Sequence, residues 1–178
     1  IARFEAERQA LALMDHPGIA TVYQEPQLFS ELTVSENIFM GREIRKGGRI
    51  DWAEQTRRVV ELLALLELPP RYATAVVGDL SIAERQQVSI AKALAGEANI
   101  LILDEPSAIL TDAEIEILFR VVRRLTESGV SVIYISHRLD ELFRIAQDVL
   151  VMRDGQTIGT YPIGELSVRK VVELMVGG

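Results

Sequence analysis

The uniformly apolar run Ile100-Leu101-Ile102-Leu103 is followed at once by Asp104-Glu105-Pro106. Two adjacent carboxylates at the end of a buried strand suit a metal ligand beside a water-activating base. The same tripeptide serves equally well as a polar strand end in which Asp104 caps a turn. A second apolar run, Val130 to Ile135, is followed by Ser136-His137. A histidine there can hydrogen-bond a phosphate, or can simply open the next helix behind a Ser136 cap; taken alone, the second reading is the better one. Gln24 follows the short β-branched run Ile19-Ala20-Thr21-Val22-Tyr23. Its amide can orient a water or a metal-bound ligand, although alone it is an ordinary polar loop residue. In Leu80-Ser81-Ile82-Ala83-Glu84-Arg85-Gln86, Ser81 and Glu84 have the spacing of a capping box, which starts a helix. The first-turn amides of that helix form an anion site, yet an isolated Ser-x-x-Glu is more often a cap and nothing else.

The elements that carry these groups follow from the periodicity. Residues 4–14 read as a helix, and Ile19 to Tyr23 as a buried strand that Glu25-Pro26 ends. From Thr33 to about Glu97 the pattern is helical and carries no strand signal. Its longest helix runs from Asp51 to Leu66, with Trp52, Val59, Leu62, Leu63 and Leu66 at helical spacing and Pro69-Pro70 as a stop. The chain then alternates. Ile100–Leu103 is a strand apolar enough to be covered on both faces, Asp112 to Glu127 a helix, and Val130 to Ile135 a second such strand. Strand, helix, strand makes a parallel pair. Asp154-Gly155 between Val149–Met152 and Thr157–Tyr161 marks a hairpin, and a last helix spans about Leu166 to Val176. In open α/β sheets ligands bind beyond the carboxyl ends of the strands, where Gln24, Asp104-Glu105 and His137 all fall.

Composition narrows the field. With 48 % apolar and 25 % charged residues, the chain has the balance of a globular domain. Nineteen basic against 26 acidic side chains give a net charge of −7. Without a Lys/Arg block, that balance argues against nucleic acid or an anionic lipid surface as the main partner. The absence of cysteine excludes disulfides, a thiol nucleophile and thiolate metal sites, and two histidines are too few for a His-rich centre. The longest apolar-rich stretch, near Val59 to Leu68, is broken by Glu61 and Glu67 and is far shorter than the ~20 residues of a membrane span. The opening Ile1-Ala2-Arg3-Phe4-Glu5 lacks the regions of a signal peptide and an initiator Met, as expected of a fragment.

The order and spacing of these segments resemble the ATP-binding-cassette (ABC) ATPase domain. Gln24 matches its Q-loop, Leu80–Glu84 its signature motif, and Ile100–Glu105 its Walker B strand with the catalytic Glu. Ala108 to Thr111 matches the D-loop and His137 the switch histidine. The stretches 22–43, 103–125 and 133–155 are similar to the first cassette of bacterial carbohydrate importers of the ribose, xylose and galactose type. Departures accompany the match. None of the twelve glycines begins a G-x-x-x-x-G-K-[ST] loop, which in this family lies further upstream of the Q-loop than the 23 residues before Gln24. Ile82 and Ala83 stand where the common signature has two glycines, Glu84 where it has Gln, and Thr111 where the D-loop has Asp. A carboxylate beside a γ-phosphate is unfavourable unless Arg85 or the capping box absorbs it.

The resemblance implies a P-loop NTPase-like α/β core with a mostly parallel sheet, its N-terminal part absent, an inserted helical subdomain, and a C-terminal hairpin and helix. Residues 1–32 and 99–178 would be core pieces and 33–98 the helical subdomain with the signature. It further implies ATP and Mg²⁺ as cofactors of the complete protein, bound weakly or not at all by this chain. Asp104, with Gln24, would hold Mg²⁺, Glu105 would polarise the attacking water, and Gln24 and His137 would sense the γ-phosphate. Ser81, Ile82, Ala83 and Glu84, with Ala108, Leu110 and Thr111, would meet ATP on a second cassette. The implied partners are an integral-membrane permease and that second cassette, on the cytoplasmic face of the cell membrane, in the service of sugar uptake. The other readings are a non-catalytic cassette remnant acting as an interaction module, and a soluble non-transport ABC ATPase. Without its N-terminal part the chain is expected to self-associate.

Overall fold

The computed structural model describes His16 and residues 18–177; the helix expected over 4–14 lies outside the described residues. One unit ends at Ile135 and a second covers Ser136–Gly178. In the first, the β-branched run forms β1 (Ile19–Val22). Helix α1 (Val34–Phe39) starts at a complete capping box, with the Glu36 amide donating to Thr33 Oγ1 at 3.2 Å and the Thr33 amide to Glu36 Oε2 at 2.8 Å. That Thr-x-x-Glu has the same spacing as Ser81–Glu84. A small hairpin follows, β2 (Arg45–Lys46) and β3 (Arg49–Ile50), turned by Gly47 at φ +58° and Gly48 at φ +80°. It corrects the wholly helical reading of this region. Strands of two residues are too short to show alternation, and paired left-handed glycines are their visible trace.

Helix α2 (Trp52–Leu65) is capped by Asp51, whose Oδ1 accepts the Glu54 amide at 3.1 Å. Val59, Leu63 and Leu66 are fully buried, whereas Trp52, in the first turn, stays 54 % exposed. Two 3-10 turns, Pro70–Thr74 and Val77–Asp79, lead to α3 (Ile82–Leu94). Helices α1, α2 and α3 pack on one another, and buried Gln87 ties α3 to the end of α2 by donating to the Leu66 carbonyl at 2.7 Å.

The three-stranded sheet places β4 (Ile100–Asp104) between β1 and β5 (Ser131–Ile135), parallel to both. Its register sets Val22 opposite Leu103 and Asp104 opposite Ile135, so the carboxyl ends finish level. The crossover between β4 and β5 is α4 (Asp112–Glu127), started by a third capping box, Thr111 with Glu114. Phe119 of α4 meets Tyr134 of β5 edge to face, ring centroids 6.2 Å apart, and Leu101 and Leu103 are fully buried. The expectation of cover on both faces holds for one face only. Ile133 and Ile135 are about half exposed, and β5 has no neighbour on its outer edge among the described residues.

The second unit begins with Ser136-His137 and α5 (Leu139–Ile145). No side chain caps α5: Ser136 Oγ accepts the Arg138 amide at 3.0 Å, a local turn in place of the Ser136 cap considered from sequence. The hairpin is β6 (Asp148–Arg153) and β7 (Gln156–Pro162), antiparallel, with Asp154 at φ +52° and Gly155 at φ +74° in its turn. A 3-10 turn (Ile163–Glu165) leads to α6 (Val168–Val176), which packs on β6 and covers Val149 and Val151. Gly177 ends α6 at φ +77°, and a Cβ there would collide with the Arg153 guanidinium.

Candidate functional site

The level ends of β1 and β4 bring two of the sequence-predicted groups to one edge of the sheet. Gln24 lies two residues beyond Val22, exposed, while Asp104 and Glu105 are half-buried at the end of β4. Glu105 has left-handed backbone, φ +49°, a costly state for a residue with a Cβ. Two hydrogen bonds hold it there: its amide donates to the Ile135 carbonyl at 2.9 Å, and its carbonyl accepts the Ala108 amide at 3.2 Å. Strain retained at the acidic end of a strand is a common mark of a functional site. Ser107, fully buried, accepts the Leu110 amide at its carbonyl, 3.1 Å, and so closes the link toward α4.

Thr111 turns out to be occupied. Its hydroxyl donates to Glu114 Oε2 at 2.7 Å and its amide donates to the same oxygen at 2.8 Å. The bond from the Thr111 amide is the main cause that holds the Glu114 carboxyl below its ordinary value. Thr111 thus caps α4, a part that Asp fills equally well. Ala108 is exposed and Leu110 half-buried on the same link.

Ser81, Ile82, Ala83 and Glu84 form a second group at the start of α3, Ser81 and Ile82 exposed. Both halves of the predicted capping box are present: the Ser81 amide donates to Glu84 Oε2 at 2.7 Å and the Glu84 amide to Ser81 Oγ at 3.3 Å. Sequence left open whether Arg85 or the box absorbs the Glu84 charge. Arg85 is turned away, donating to the carbonyls of Leu80 (2.9 Å) and Gly78 (3.3 Å). Tyr72, which the sequence reading passed over, takes that part by donating its hydroxyl to Glu84 Oε1 at 2.5 Å. Burial pushes the Glu84 carboxyl up; the Tyr72 hydroxyl, then Ser81 and the charge of Arg71 outweigh it, so the group lies below its ordinary value.

Asn37 is the other residue missed. It is fully buried, accepts the Phe29 amide at 2.7 Å and donates to the carbonyls of Phe29 (2.9 Å) and Thr33 (3.0 Å), fixing the loop after Gln24 onto α1. Nothing in its neighbours along the chain signals that reach. His137, exposed, belongs to the second unit, immediately after the residue pair that ends β5 and begins that unit. A cavity of about 400 Å³ opens beside β1, with Thr21, Arg42 and Lys92 among its walls; Gln24, Asp104 and Glu105 do not line it.

For a metal the donors are sparse. Among the described residues no three His, Asp or Glu side chains gather into a cation cage. One carboxylate, Asp104, with a nearby amide fits Mg²⁺ that arrives with phosphates and keeps its waters, and does not fit a resident ion. No described helix is long and apolar enough to cross a membrane.

Comparison with known proteins gives this geometry its context. The ribose import ATP-binding protein RbsA 3 of Rubrobacter xylanophilus is 49 % identical over 163 residues, spanning 90 % of this chain and 32 % of that protein. The ribose import ATP-binding protein RbsA of Rhodopirellula baltica is also 49 % identical, over 92 % of this chain and 32 % of its own length. The chain thus spans about a third of the length of these curated relatives. Among solved structures, the ADP conformation of MJ1267, an ATP-binding cassette of an ABC transporter, superposes with a TM-score of 0.75 at 28 % identity, covering 94 % of this chain and 71 % of that one. CbiO1 from Clostridium perfringens, part of the ABC transporter complex cbiONQ, gives 0.73 at 25 % identity over 89 % and 62 %. The expected parallel-sheet core and inserted helices are accordingly those of an ABC ATPase cassette. Because the ABC transporter model also matches residues 4–108, a stretch that runs from before β1 through Gln24, Ser81–Glu84 and Asp104-Glu105 to Ala108, the chain belongs to the ABC transporter family.

Proposed function

We propose that this chain supplies most of one cassette of an ATPase that drives sugar import through a membrane permease. The observation that carries the reading is the level parallel edge of β1 and β4, with Gln24 beside Asp104 and a left-handed Glu105. The names of the ribose import relatives support the substrate class. In this reading residues 33–98 form the helical subdomain, and 1–32 with 99–178 form pieces of the α/β core.

ATP with Mg²⁺ supplies the phosphoryl group and the charge that must be balanced when it leaves. Asp104 would give the metal its protein carboxylate, and the Gln24 amide would help hold the metal and the attacking water. Glu105 would accept the proton of that water. His137 donates to the γ-phosphate. Ser81 and the first-turn amides of Ile82 and Ala83 meet the nucleotide held by a second cassette, as a helix N-terminus suits an anion. Ala108 and Leu110 face that cassette too. The assembly sits on the cytoplasmic side of the membrane, beside its permease.

The test is Ser81→Arg in the full-length ATPase assembled with its second cassette. Ser81 is exposed at the start of α3, so the new side chain leaves the core intact. Steady-state ATP hydrolysis is expected to fall to background while the melting temperature drops only by the ~2–4 °C that loss of the Ser81 cap costs. Unchanged hydrolysis would overturn the assignment of the signature.

A further inference from the structure

The start of α3 carries one more carboxylate than an anion-binding helix end needs, and the structure gives that carboxylate a partner from another element. Tyr72 lies in the 3-10 turn Pro70–Thr74, twelve residues before Glu84. Its hydroxyl donates to Glu84 Oε1 at 2.5 Å, while Glu84 Oε2 accepts the Ser81 amide at 2.7 Å. Both oxygens are thereby engaged. An O–H···O⁻ contact of this length is a strong, charge-assisted bond. Arg71 lies against the ring, its guanidinium carbon 5.3 Å from the ring centroid. Arg85, the nearest cation in sequence, spends its donors on the carbonyls of Leu80 and Gly78.

We infer that Tyr72 is a positioning residue for the nucleotide-facing end of α3, keeping the Glu84 carboxylate folded into the capping box and its charge away from the Ile82 and Ala83 amides. The inference rests on the reading of Ser81–Glu84 as the segment that meets a phosphate. The first-turn amides and the positive helix end are what attract an incoming anion. A carboxylate tethered by one oxygen only can swing across those amides and compete for them. With the phenol in place it cannot, and its charge is shared with a donor. The pair thus makes room for a phosphate at a helix end that already contains a negative side chain.

The experiment is a rescue in the full-length ATPase with its partner cassette. Tyr72→Phe removes one hydroxyl and is expected to raise the half-saturating ATP concentration about tenfold, with kcat near the parent value. Glu84→Gln removes the charge and keeps a capping amide, so Tyr72→Phe added to Glu84→Gln is expected to match Glu84→Gln alone. A Tyr72→Phe defect that persists in the Glu84→Gln background shows a packing role and overturns the inference. So does a fall in kcat at unchanged half-saturation, or no effect at all. Ser81→Arg runs beside them: if it leaves hydrolysis intact the signature reading fails, whereas a dead Ser81→Arg with a silent Tyr72→Phe sinks only the role of Tyr72. A second measurement needs no turnover. In the 178-residue chain, carbon-13 titration of the Glu84 carboxyl is expected to move up toward the ordinary carboxylate range in Tyr72→Phe, and an unmoved titration overturns the bond on which the inference stands.

Discussion

The amide of Glu105 donates to the carbonyl of Ile135 at 2.9 Å, joining the end of β4 to the end of β5 while Glu105 itself stands at φ +49°. That bond is made by backbone, so a change of side chain leaves its donor and acceptor in place. Glu105→Gln in the full-length ATPase is therefore expected to keep the fold and ATP binding and to lower hydrolysis by roughly 10²–10⁴-fold, the usual worth of a general base. Phosphate release and filter-retained ATP measure the two. Parental turnover in this variant excludes Glu105 as the base.

The 178-residue chain by itself is expected to show no magnesium-dependent ATP turnover. It carries the proposed metal ligand and the proposed base, yet its sequence contains no glycine-rich loop with Lys to position phosphates, and phosphoryl transfer depends mostly on positioning. Turnover by the pure chain that Glu105→Gln abolishes contradicts this.

Thr111→Ala should destabilise the first unit by about 1 kcal/mol, lowering its melting temperature by ~2–4 °C, because it deletes the cap of the longest helix described. Thr111→Ser, which keeps the oxygen, should melt near the parent. Equal losses in both variants would mean that the methyl group matters and the cap does not.

Acid should weaken the same caps. Hydrogen bonds from the backbone and hydroxyl of Thr33 hold Glu36, and those of Thr111 hold Glu114, below the ordinary carboxyl value of 4.5. A carboxyl whose folded pKa is depressed stabilises the fold fully above its unfolded value. Its contribution is then lost as pH falls from 4.5 through the folded pKa. Both groups are near the surface, so the effect is modest and screened by salt. Melts followed by circular dichroism between pH 6 and 3 should show a shallower acid decline in Glu36→Gln/Glu114→Gln than in the parent. An identical decline assigns the acid sensitivity elsewhere.

Among the described residues β5 presents an outer edge without a neighbour and two half-exposed isoleucines, Ile133 and Ile135. Covering the open half of each is worth roughly 1 kcal/mol, and an open edge invites pairing with another strand. The chain is expected to elute larger than a monomer in light scattering on a gel-filtration column, and Ile133→Lys to shift it toward monomer. A sharp monomer peak with a cooperative melt in the parent rules this out.

Much of the fold could be read from residue types. The four apolar residues before Asp104, the Asp154-Gly155 turn and the Ser81–Glu84 box each fix an element through local chemistry, and each appears where expected. The boxes at Thr33 and Thr111 obey the same rule and are equally legible in the residues. The Arg45–Ile50 hairpin was hidden by the shortness of its strands. What no sequence pattern carries is reach across the fold. Tyr72 meets Glu84, and Asn37 meets Phe29, because separate turns and helices pack, and Glu105 takes its left-handed state from a bond to a strand thirty residues on.

The buried clamp of Asn37 sets the length of a hinge. From Phe29 to Asn37 the loop and α1 are tied by side-chain bonds into one lever, so bending within it means breaking buried hydrogen bonds. Just before it, Lys92 of α3 grips the Gln27 carbonyl at 3.1 Å, and the Leu28 amide closes onto Pro26 at 2.9 Å. Between the rigid end of β1 and this anchored stretch, the torsional freedom left belongs to Tyr23, Gln24 and Glu25. Any movement of α1 relative to the sheet therefore has to be taken up at these three residues, with Gln24 in their middle.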